Sequence, residues 1–277
     1  MRRDPKLALW GAAACLAGLV LTGLAALLWP AAQARDAQGL EGITALDQGD
    51  LSVLANGIAH LGDPRPYGVF GAGLIAVALV RGRWRMAVAL PVVLLGSAIT
   101  TQLLKPLLAT PRGGWLDAQV DAASWPSGHA TAALALALCA VLVAPRRLRP
   151  AAAVLGAVFA SAVAYAILIG GWHFPSDVLG GFLVATLWTM LAVAVLLAAE
   201  RRWPESRRPV PAGERPVLWP IELALAGAIA VVLVVALARP HDVGTFAFEH
   251  TTGVAMLGAI ALFALALAGG VARTLRR

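Results

Sequence analysis

The chain has 277 residues, of which 60% are apolar and only 13% are charged. Soluble domains carry about 25% charged residues, so this composition excludes a water-soluble globule, and charge is also too scarce for a disordered chain or a coiled coil. The net charge is +7, and arginine supplies 20 of the 22 basic residues in short clusters between apolar runs. Such clusters are typical of membrane topology rather than of a nucleic-acid-binding face, and they predict an all-α, polytopic membrane helical bundle.

The apolar runs predict eight transmembrane helices, since a helix needs about 20 apolar residues to cross the hydrocarbon core. The first run is Leu7–Trp29. The second, Tyr67–Val80, is short and needs residues upstream of Pro64 in order to span. Between them, Leu51–Leu61 has an amphipathic pattern that favours a helix lying flat at the outer interface. The remaining runs are, in chain order, Met86–Leu104, Pro126–Ala144, Pro150–Gly171, Val178–Ala199, Val217–Ala238 and Gly253–Ala272.

The distribution of basic residues supports the short second span. With eight spans and both termini in the cytoplasm, 17 of the 22 basic residues lie on the inner side. Without the second span, the cluster Arg81–Arg85 would lie outside, against the positive-inside rule. Arg2-Arg3, the first apolar run and Ala32-Gln33-Ala34 also resemble a secretory signal peptide. However, a 23-residue run exceeds the roughly 7–15 residues of a signal peptide's apolar region, which favours an uncleaved first span.

The arginine- and proline-rich stretch Arg201–Pro216 is the only linker-like segment in the sequence. It predicts a six-helix membrane body over residues 1–203, followed by a linker and a C-terminal two-helix hairpin over residues 204–277.

Five ionisable residues fall at the predicted outer ends of helices, where such groups are rare unless they are functional: Lys105, Arg112, His129, His173 and Asp177. Cations and the backbone N–H groups of a helix N-terminus form an anion site, and Ser127-Gly128-His129 opens a helix. Histidine can both attack and protonate near neutral pH, and a carboxylate four residues after a histidine can fix its tautomer. This set suits displacement at phosphorus without a cofactor, and the sequence shows no metal-ligand spacing.

These elements resemble the type-2 phosphatidic acid phosphatase superfamily. The resemblance rests on Lys105-x6-Arg112, on Pro126-Ser127-Gly128-His129 and on His173-x3-Asp177, and it covers roughly Leu51 to Ala199. It implies a six-helix membrane body in which His173 is the nucleophile that forms a phospho-histidine, Asp177 orients His173, and His129 is the general acid for the leaving group. The phosphate-binding residues that the resemblance implies are Lys105, Arg112, Ser127 and Gly128.

The sequence departs from the family pattern in two places. Gly113 follows Arg112 where the family has proline, and Ala166-Ile167 stand where the third family element begins with Ser-Arg. A hydrogen bond to a charged group contributes about 1.5–3 kcal/mol, so an unreplaced arginine costs roughly 10- to 150-fold in transition-state binding. Arg35, Arg65 and Arg239 are the outer cations that could substitute, and Arg239, in the hairpin loop, is the preferred candidate.

Three tryptophans flank the same elements: Trp115, Trp125 and Trp172. Two interpretations stay open for them: lining the entrance for a lipid or isoprenoid chain, or belonging to an interfacial aromatic belt.

The function that the resemblance implies is hydrolysis of a lipid phosphate or pyrophosphate at the extracytoplasmic face of the plasma membrane. Its substrate would be an isoprenoid diphosphate, phosphatidic acid, phosphatidylglycerophosphate or a polyprenyl-phosphoryl sugar phosphate, and its partners would be this lipid and the bilayer, not nucleic acid. Two alternatives remain: a phosphotransferase that uses the same intermediate, and a non-catalytic lipid-phosphate binder or transporter.

Overall fold

The computed structural model describes residues 5–112, 120–204, 217–223, 225–227 and 240–275. Within these ranges the chain is helical and contains no strand, which confirms the all-α fold class. Residues 219–223 and 225–227 are helical, and a 3₁₀ turn, His60–Gly62, joins α3 to α4. The labelled helices are α1 (Pro5–Leu28), α2 (Pro30–Thr44), α3 (Gly49–Ala59), α4 (Pro64–Val80), α5 (Trp84–Leu107), α6 (Gly128–Val143), α7 (Arg149–Ile169), α8 (Pro175–Arg202), α9 (Pro240–Glu249) and α10 (Thr251–Thr274).

Five helices, α1, α5, α7, α8 and α10, are long and apolar enough to cross a membrane, and α4 and α6 are shorter apolar helices. They coincide with seven of the predicted spans, whereas the remaining one, Val217–Ala238, falls largely outside the described residues, so the count of eight stays a prediction. Helix α5 presents an exposed apolar stripe at helical spacing. A stripe of this kind suits contact with lipid, and its members are Val88, Val92, Leu95, Ile99 and Leu103. The protein is therefore a multi-pass membrane protein.

The short second span does not extend upstream as we predicted. Helix α4 begins at Pro64, which occupies its first position after the extended residue Asp63. Proline lacks an N–H and fixes φ, so it favours the start of a helix and resists continuation upstream. The predicted amphipathic segment Leu51–Leu61 is helical over most of its length as α3, followed by the 3₁₀ turn.

Helix α2 was missed by the sequence analysis, which assigned no helix between Trp29 and Leu51. It begins with Pro30 and buries one face at helical spacing through Asp36, Ala37, Leu40 and Ile43. This face packs mainly against α10 and also contacts α7 and α8. The sequence analysis searched for continuous apolar runs. This 15-residue helix lies beside the bundle and has polar residues on its other face, so it contains no such run.

Helix α6 lies at the centre of the bundle, with 13 of its 16 residues buried. It packs against α5, α7 and α8, and α1 packs along α8. Helix α10 contacts α7, α2, α8 and α6, and its buried residues Ile260, Ala264 and Ala268 belong to the same apolar core. The division between residues 1–203 and 204–277 stays a prediction.

The two ends of the bundle differ in chemistry. At one end, the guanidinium groups of Arg81 and Arg83 donate to the carbonyl oxygens of Leu142 and Val143 at 2.9–3.1 Å, which satisfies the C-terminal end of α6. The opposite end of α6 begins with Gly128, where the C-terminal end of α5 and the N-terminal end of α8 also lie. This second end carries the predicted site.

Candidate active site

The N-terminal ends of two helices position the predicted catalytic groups. His129 is the second residue of α6, and Asp177 is in the first turn of α8, with His173 in the turn that precedes α8. Ser127 caps α6, since its hydroxyl accepts a hydrogen bond from the amide of Ala130 at 3.3 Å. Serine is a preferred N-cap residue, and the amide of Ser127 in turn donates to the carbonyl oxygen of Asp177 at 2.9 Å. This bond ties the start of α6 to the start of α8.

Close packing of the same two helices depends on Gly181 in α8. A methyl group at this position would lie 2.6 Å from the carbonyl oxygen of Ser127 and 3.0 Å from the backbone nitrogen of Thr131. Because both contacts are to backbone, they cannot relax by a side-chain rotation. Glycine at 181 therefore lets α8 approach the first turn of α6.

His173 and Asp177 form a buried imidazole–carboxylate pair. Nδ1 of His173 lies 3.3 Å from Oδ2 of Asp177, and the four-residue spacing brings them onto one side of the turn. Oδ2 of Asp177 also accepts the amide hydrogen of Phe174 at 3.0 Å, and the Asp177 side chain is fully buried. A carboxylate fixed in this way can hold the histidine with Nε2 free to attack.

Arg112 supplies the positive charge that balances the buried carboxylate. Its side chain is 3% exposed, and Nη2 donates to Oδ1 of Asp177 at 2.5 Å and to the Ser124 hydroxyl at 2.7 Å. Nη1 donates to the Ser176 hydroxyl at 3.3 Å, and the guanidinium lies 4.6 Å from the centre of the Phe174 ring. Arg112 is therefore the ion-pair partner of Asp177. A contact between Arg112 and phosphate stays a prediction.

The second predicted catalytic histidine lies next to the first. The ring centroids of His129 and His173 are 6.3 Å apart. Nε2 of His129 lies 3.1 Å from Oδ1 of Asp63, and the Trp172 ring is 5.6 Å from that of His129. The structure thus brings together the two imidazoles, each on its own carboxylate.

Lys105, one of the predicted phosphate-binding residues, faces Gly128, the first residue of α6. A methyl group at Gly128 would lie 3.9 Å from both Nζ of Lys105 and Nε2 of Gln102, so these donors face the bare backbone at the helix N-terminus. A lysine ammonium beside such a terminus favours an anion. Ser127 is fully buried as the N-cap, and a direct contact between its hydroxyl and phosphate stays a prediction.

Asp36 of α2 is a buried carboxylate that the sequence analysis did not identify. It accepts hydrogen bonds from the amide and hydroxyl of Ser176 at 2.9 and 2.5 Å, and its Oδ2 lies 3.8 Å from Nη1 of Arg112. Burial raises the pKa of Asp36 to about 6, against the opposing effects of the Ser176 hydrogen bonds and the Arg112 charge. The Arg112 guanidinium therefore contacts two buried carboxylates.

The tryptophans that flank the motifs have different environments. Trp125 is 3% exposed and packs against Gly23 of α1 and Gly180 of α8, so its placement at a lipid entrance is wrong: it is a core residue between these helices. Trp172 is half-exposed and lines a cavity of about 290 Å³ together with Asp47, Ser52 and Asn56. Trp115 lies outside the described residues.

The position of the missing family arginine is apolar. Ile167 is fully buried in α7. Of the cations considered as substitutes, Arg35 and Arg65 have exposed side chains, and Arg239 lies outside the described residues. Compensation by Arg239 stays a prediction.

Two further groups around the site had weak sequence signals. Ser124 directly precedes the Trp125-Pro126 pair, and Ser176 stands inside the His173–Asp177 element, so a search for hydroxyl donors next to the motifs could have found both. Asp36 and Asp63 lie 140 and 66 residues from their partners Ser176 and His129. No local pattern predicts these long-range contacts.

Comparison with known proteins shows one similarity to a family model and one to a solved structure. Residues 72–202 match the family model described as the PAP2 superfamily. The fold is similar to that in the crystal structure of the first transmembrane PAP2 type phosphatidylglycerolphosphate phosphatase from Bacillus subtilis, with a TM-score of 0.55 and 22% identity, covering 72% of this chain and 100% of that chain. No curated protein matches the chain in sequence. All seven predicted catalytic and phosphate-binding residues lie within this matched segment.

Proposed function

We propose that the protein is a membrane lipid phosphatase that hydrolyses a lipid phosphate or pyrophosphate through a phospho-histidine intermediate. The observation that carries the proposal is the pair of imidazole rings of His129 and His173, 6.3 Å apart at the N-terminus of α6. A mere binding site needs cations and amides but no pair of imidazoles, each bonded to a carboxylate. Two imidazoles are needed when one attacks phosphorus as the nucleophile and the other, on the opposite side of the phosphoryl group, protonates the leaving oxygen as the general acid.

In the first step, Nε2 of His173 attacks phosphorus. The P–N bond forms while the bond from phosphorus to the leaving oxygen breaks, and His129 gives its proton to that oxygen. Asp177 keeps the hydrogen bond to Nδ1 and stabilises the positive charge that develops on His173. Lys105 and the amides at the start of α6 bind the phosphoryl oxygens.

In the second step, neutral His129 accepts a proton from water as the water oxygen attacks phosphorus. The P–N bond breaks, its electrons return to Nε2 of His173, and inorganic phosphate leaves. His129 has regained the proton that it lost, so the cycle consumes one water and leaves the enzyme unchanged.

We further propose that the site faces the extracytoplasmic side. Arg81 and Arg83 bind the opposite end of α6, and the positive-inside rule assigns such a cluster to the cytoplasm. The N-terminus of α6 then lies at the outer surface of the plasma membrane, where a lipid head group is accessible.

The substrate class is a lipid with a terminal phosphate or diphosphate. The structural neighbour is a phosphatidylglycerolphosphate phosphatase, which makes this lipid one member of the test panel. The other members are phosphatidic acid, an isoprenoid diphosphate and a polyprenyl-phosphoryl sugar phosphate.

The test is release of inorganic phosphate from this panel by the purified full chain, compared between the native protein, His173→Ala and His250→Ala. His250 is a histidine between α9 and α10 whose ring packs on Phe246, so it serves as the matched control. We expect His173→Ala to abolish release and His250→Ala to retain it. Phosphate appearing only on an added alcohol acceptor would support the phosphotransferase instead, and no turnover of any lipid would support the binder or transporter.

A further inference from the structure

Asp63 stands at a helix start but does not act as a cap there. Aspartate is a preferred N-cap residue because its carboxylate accepts amide hydrogens from the first turn. At the start of α4 the side chain of Asp63 makes no such bond, and Pro64 and Pro66 have no amide hydrogen to offer. Both carboxylate oxygens bond to imidazoles instead: Oδ1 to Nε2 of His129 at 3.1 Å and Oδ2 to Nδ1 of His60 at 2.8 Å.

The backbone before Asp63 is shaped for this contact. A methyl group at Gly62 would lie 3.0–3.2 Å from Cδ2, Cβ and Cα of His129, tighter than ordinary contacts of a real side chain. Glycine thus lets the His60–Gly62 turn approach the first turn of α6. The Trp172 ring contacts both imidazoles, at 6.1 Å from His60 and 5.6 Å from His129, and limits their movement on the other side.

We propose that Asp63 is a positioning residue for the general acid: its carboxylate holds Nε2–H of His129 so that Nδ1–H points at the oxygen of the leaving group. This inference rests on the proposed function. None of the described residues hydrogen-bonds to Nδ1 of His129 or to Nε2 of His173, so each ring keeps one nitrogen for the reaction. Asp63, which makes this contact with His129, lies outside residues 72–202, the segment that matches the superfamily model.

The charges around His129 explain why a carboxylate is useful there. The ring is more than half buried and lies near the Lys105 ammonium and the His173 ring, both of which oppose a second positive charge. Asp63 is the carboxylate that favours the protonated ring. The hydrogen bond from His60 lowers the pKa of the Asp63 carboxyl, which keeps Asp63 ionised at neutral pH.

The experiment distinguishes an effect of Asp63 on protonation of the leaving group from any other role of Asp63. The probes are two lipid-like monophosphates that differ only in the leaving group: a long-chain alkyl phosphate and a nitrophenyl phosphate that carries the same alkyl chain. An alkoxide is a strong base and leaves only with a proton, whereas nitrophenolate leaves without one. The variants are Asp63→Asn, His129→Ala as the reference, and Asp50→Asn, an exposed aspartate in the first turn of α3, as the control.

We expect Asp63→Asn to lower kcat for the alkyl phosphate by roughly ten- to hundredfold, less than the roughly 10²- to 10⁴-fold of His129→Ala, since general acid catalysis contributes about that much. The KM for the alkyl phosphate and the kcat for the nitrophenyl phosphate should stay within about threefold of the native values. Asp50→Asn should match the native protein on both probes. The readout is the ratio of the two kcat values, from which any loss of folded protein cancels.

An unchanged ratio in Asp63→Asn would overturn the positioning role, whether both rates stay native or both fall together. That outcome leaves the proposed function intact if native turnover still depends on His173. Failure of the native protein to release phosphate from either probe would instead contradict the proposed function, and the positioning role with it.

Discussion

His173 and His129 each bond to a carboxylate, yet the two pairs are built from different parts of the chain. The inner pair, His173–Asp177, lies within one turn and is buried, with Arg112 on the far oxygen of the carboxylate. The outer pair, His129–Asp63, joins two segments 66 residues apart, and its side chains are 26% and 38% exposed. The inner carboxylate therefore acts in a dry environment with a fixed counter-charge, and the outer one acts in partial contact with water.

This difference predicts unequal costs when each pair is broken. Charge interactions are strong where water is excluded and weak where it is not. It also fits the proposed roles, because a nucleophile needs a fixed tautomer throughout the reaction. The general acid must lose and regain a proton in each cycle, which suits a carboxylate partner that is partly hydrated and interacts less strongly.

The largest expected effect is that of Asp177→Asn. An amide can hold the wrong tautomer of His173, and the corresponding change in a catalytic triad lowers kcat by roughly 10⁴-fold. It also removes the main partner of the buried Arg112 guanidinium, and breaking one side of a buried ion pair costs about 3–5 kcal/mol in the free energy of unfolding. Phosphate release and thermal unfolding in detergent measure the two losses.

The matched control for this variant is Asp50→Asn, at an exposed position in the first turn of α3. We expect it to keep native activity and stability. An Asp177→Asn protein that retained kcat within tenfold of the native value would mean that the inner carboxylate does not orient the nucleophile.

A smaller effect is expected from Gly62→Ala, which disturbs the outer pair without changing a charge. The added methyl group contacts Cα of His129 at 3.2 Å, and because this atom is backbone, the turn must shift and Asp63 with it. We expect a fall of about tenfold in kcat for an alkyl phosphate, since a misplaced acid loses part of its roughly 10²- to 10⁴-fold contribution.

Gly57→Ala is the control for that change, because a methyl group on Gly57 of α3 meets no atom within 4 Å. It should leave kcat native and slightly favour the helix, as alanine has the higher helix propensity. Equal activity of the two alanine variants would show that the approach of the turn to His129 has no role in catalysis.

The same contrast explains how much of the molecule the sequence could predict. Long apolar runs located the spans to within a few residues: Leu7–Trp29 is observed as Pro5–Leu28, and Pro150–Gly171 as Arg149–Ile169. The predicted residues around His129 and His173 meet in space because they stand in short motifs at helix ends. Local spacing carries information of this kind.

Features that depend on packing between distant segments could not be predicted. Asp36 and Asp63 reach the site through α2 and the turn before α4, and nothing in their immediate neighbours distinguishes them from solvated loop acids. Trp125 is the opposite case. It is next to a functional motif in the sequence, yet its side chain packs in the core between α1 and α8. Proximity in sequence to a functional motif does not specify which way a side chain faces.

The smallest expected effect concerns the charge of the inner cluster, where Asp36 and Asp177 share Arg112. Burial raises the pKa of Asp36 from 3.8 to about 6, so the folded protein binds an extra proton between these values. The stabilisation from this group is present below about pH 4 and is lost as the pH rises through 6. Two pKa units at about 1.4 kcal/mol each set an upper limit of about 3 kcal/mol.

Asp36→Asn removes this titration, and its amide oxygen can still accept a hydrogen bond from Ser176. We therefore expect the Tm of the variant minus that of the native protein to become more positive as the pH is raised from 4.5 to 7, while Asp50→Asn, at an exposed position, gives a difference that does not change with pH. Measuring the difference at each pH cancels the carboxylates that the proteins share. A difference for Asp36→Asn that is flat across this range would mean that Asp36 is already ionised at pH 4.5, with Arg112 and Ser176 outweighing its burial.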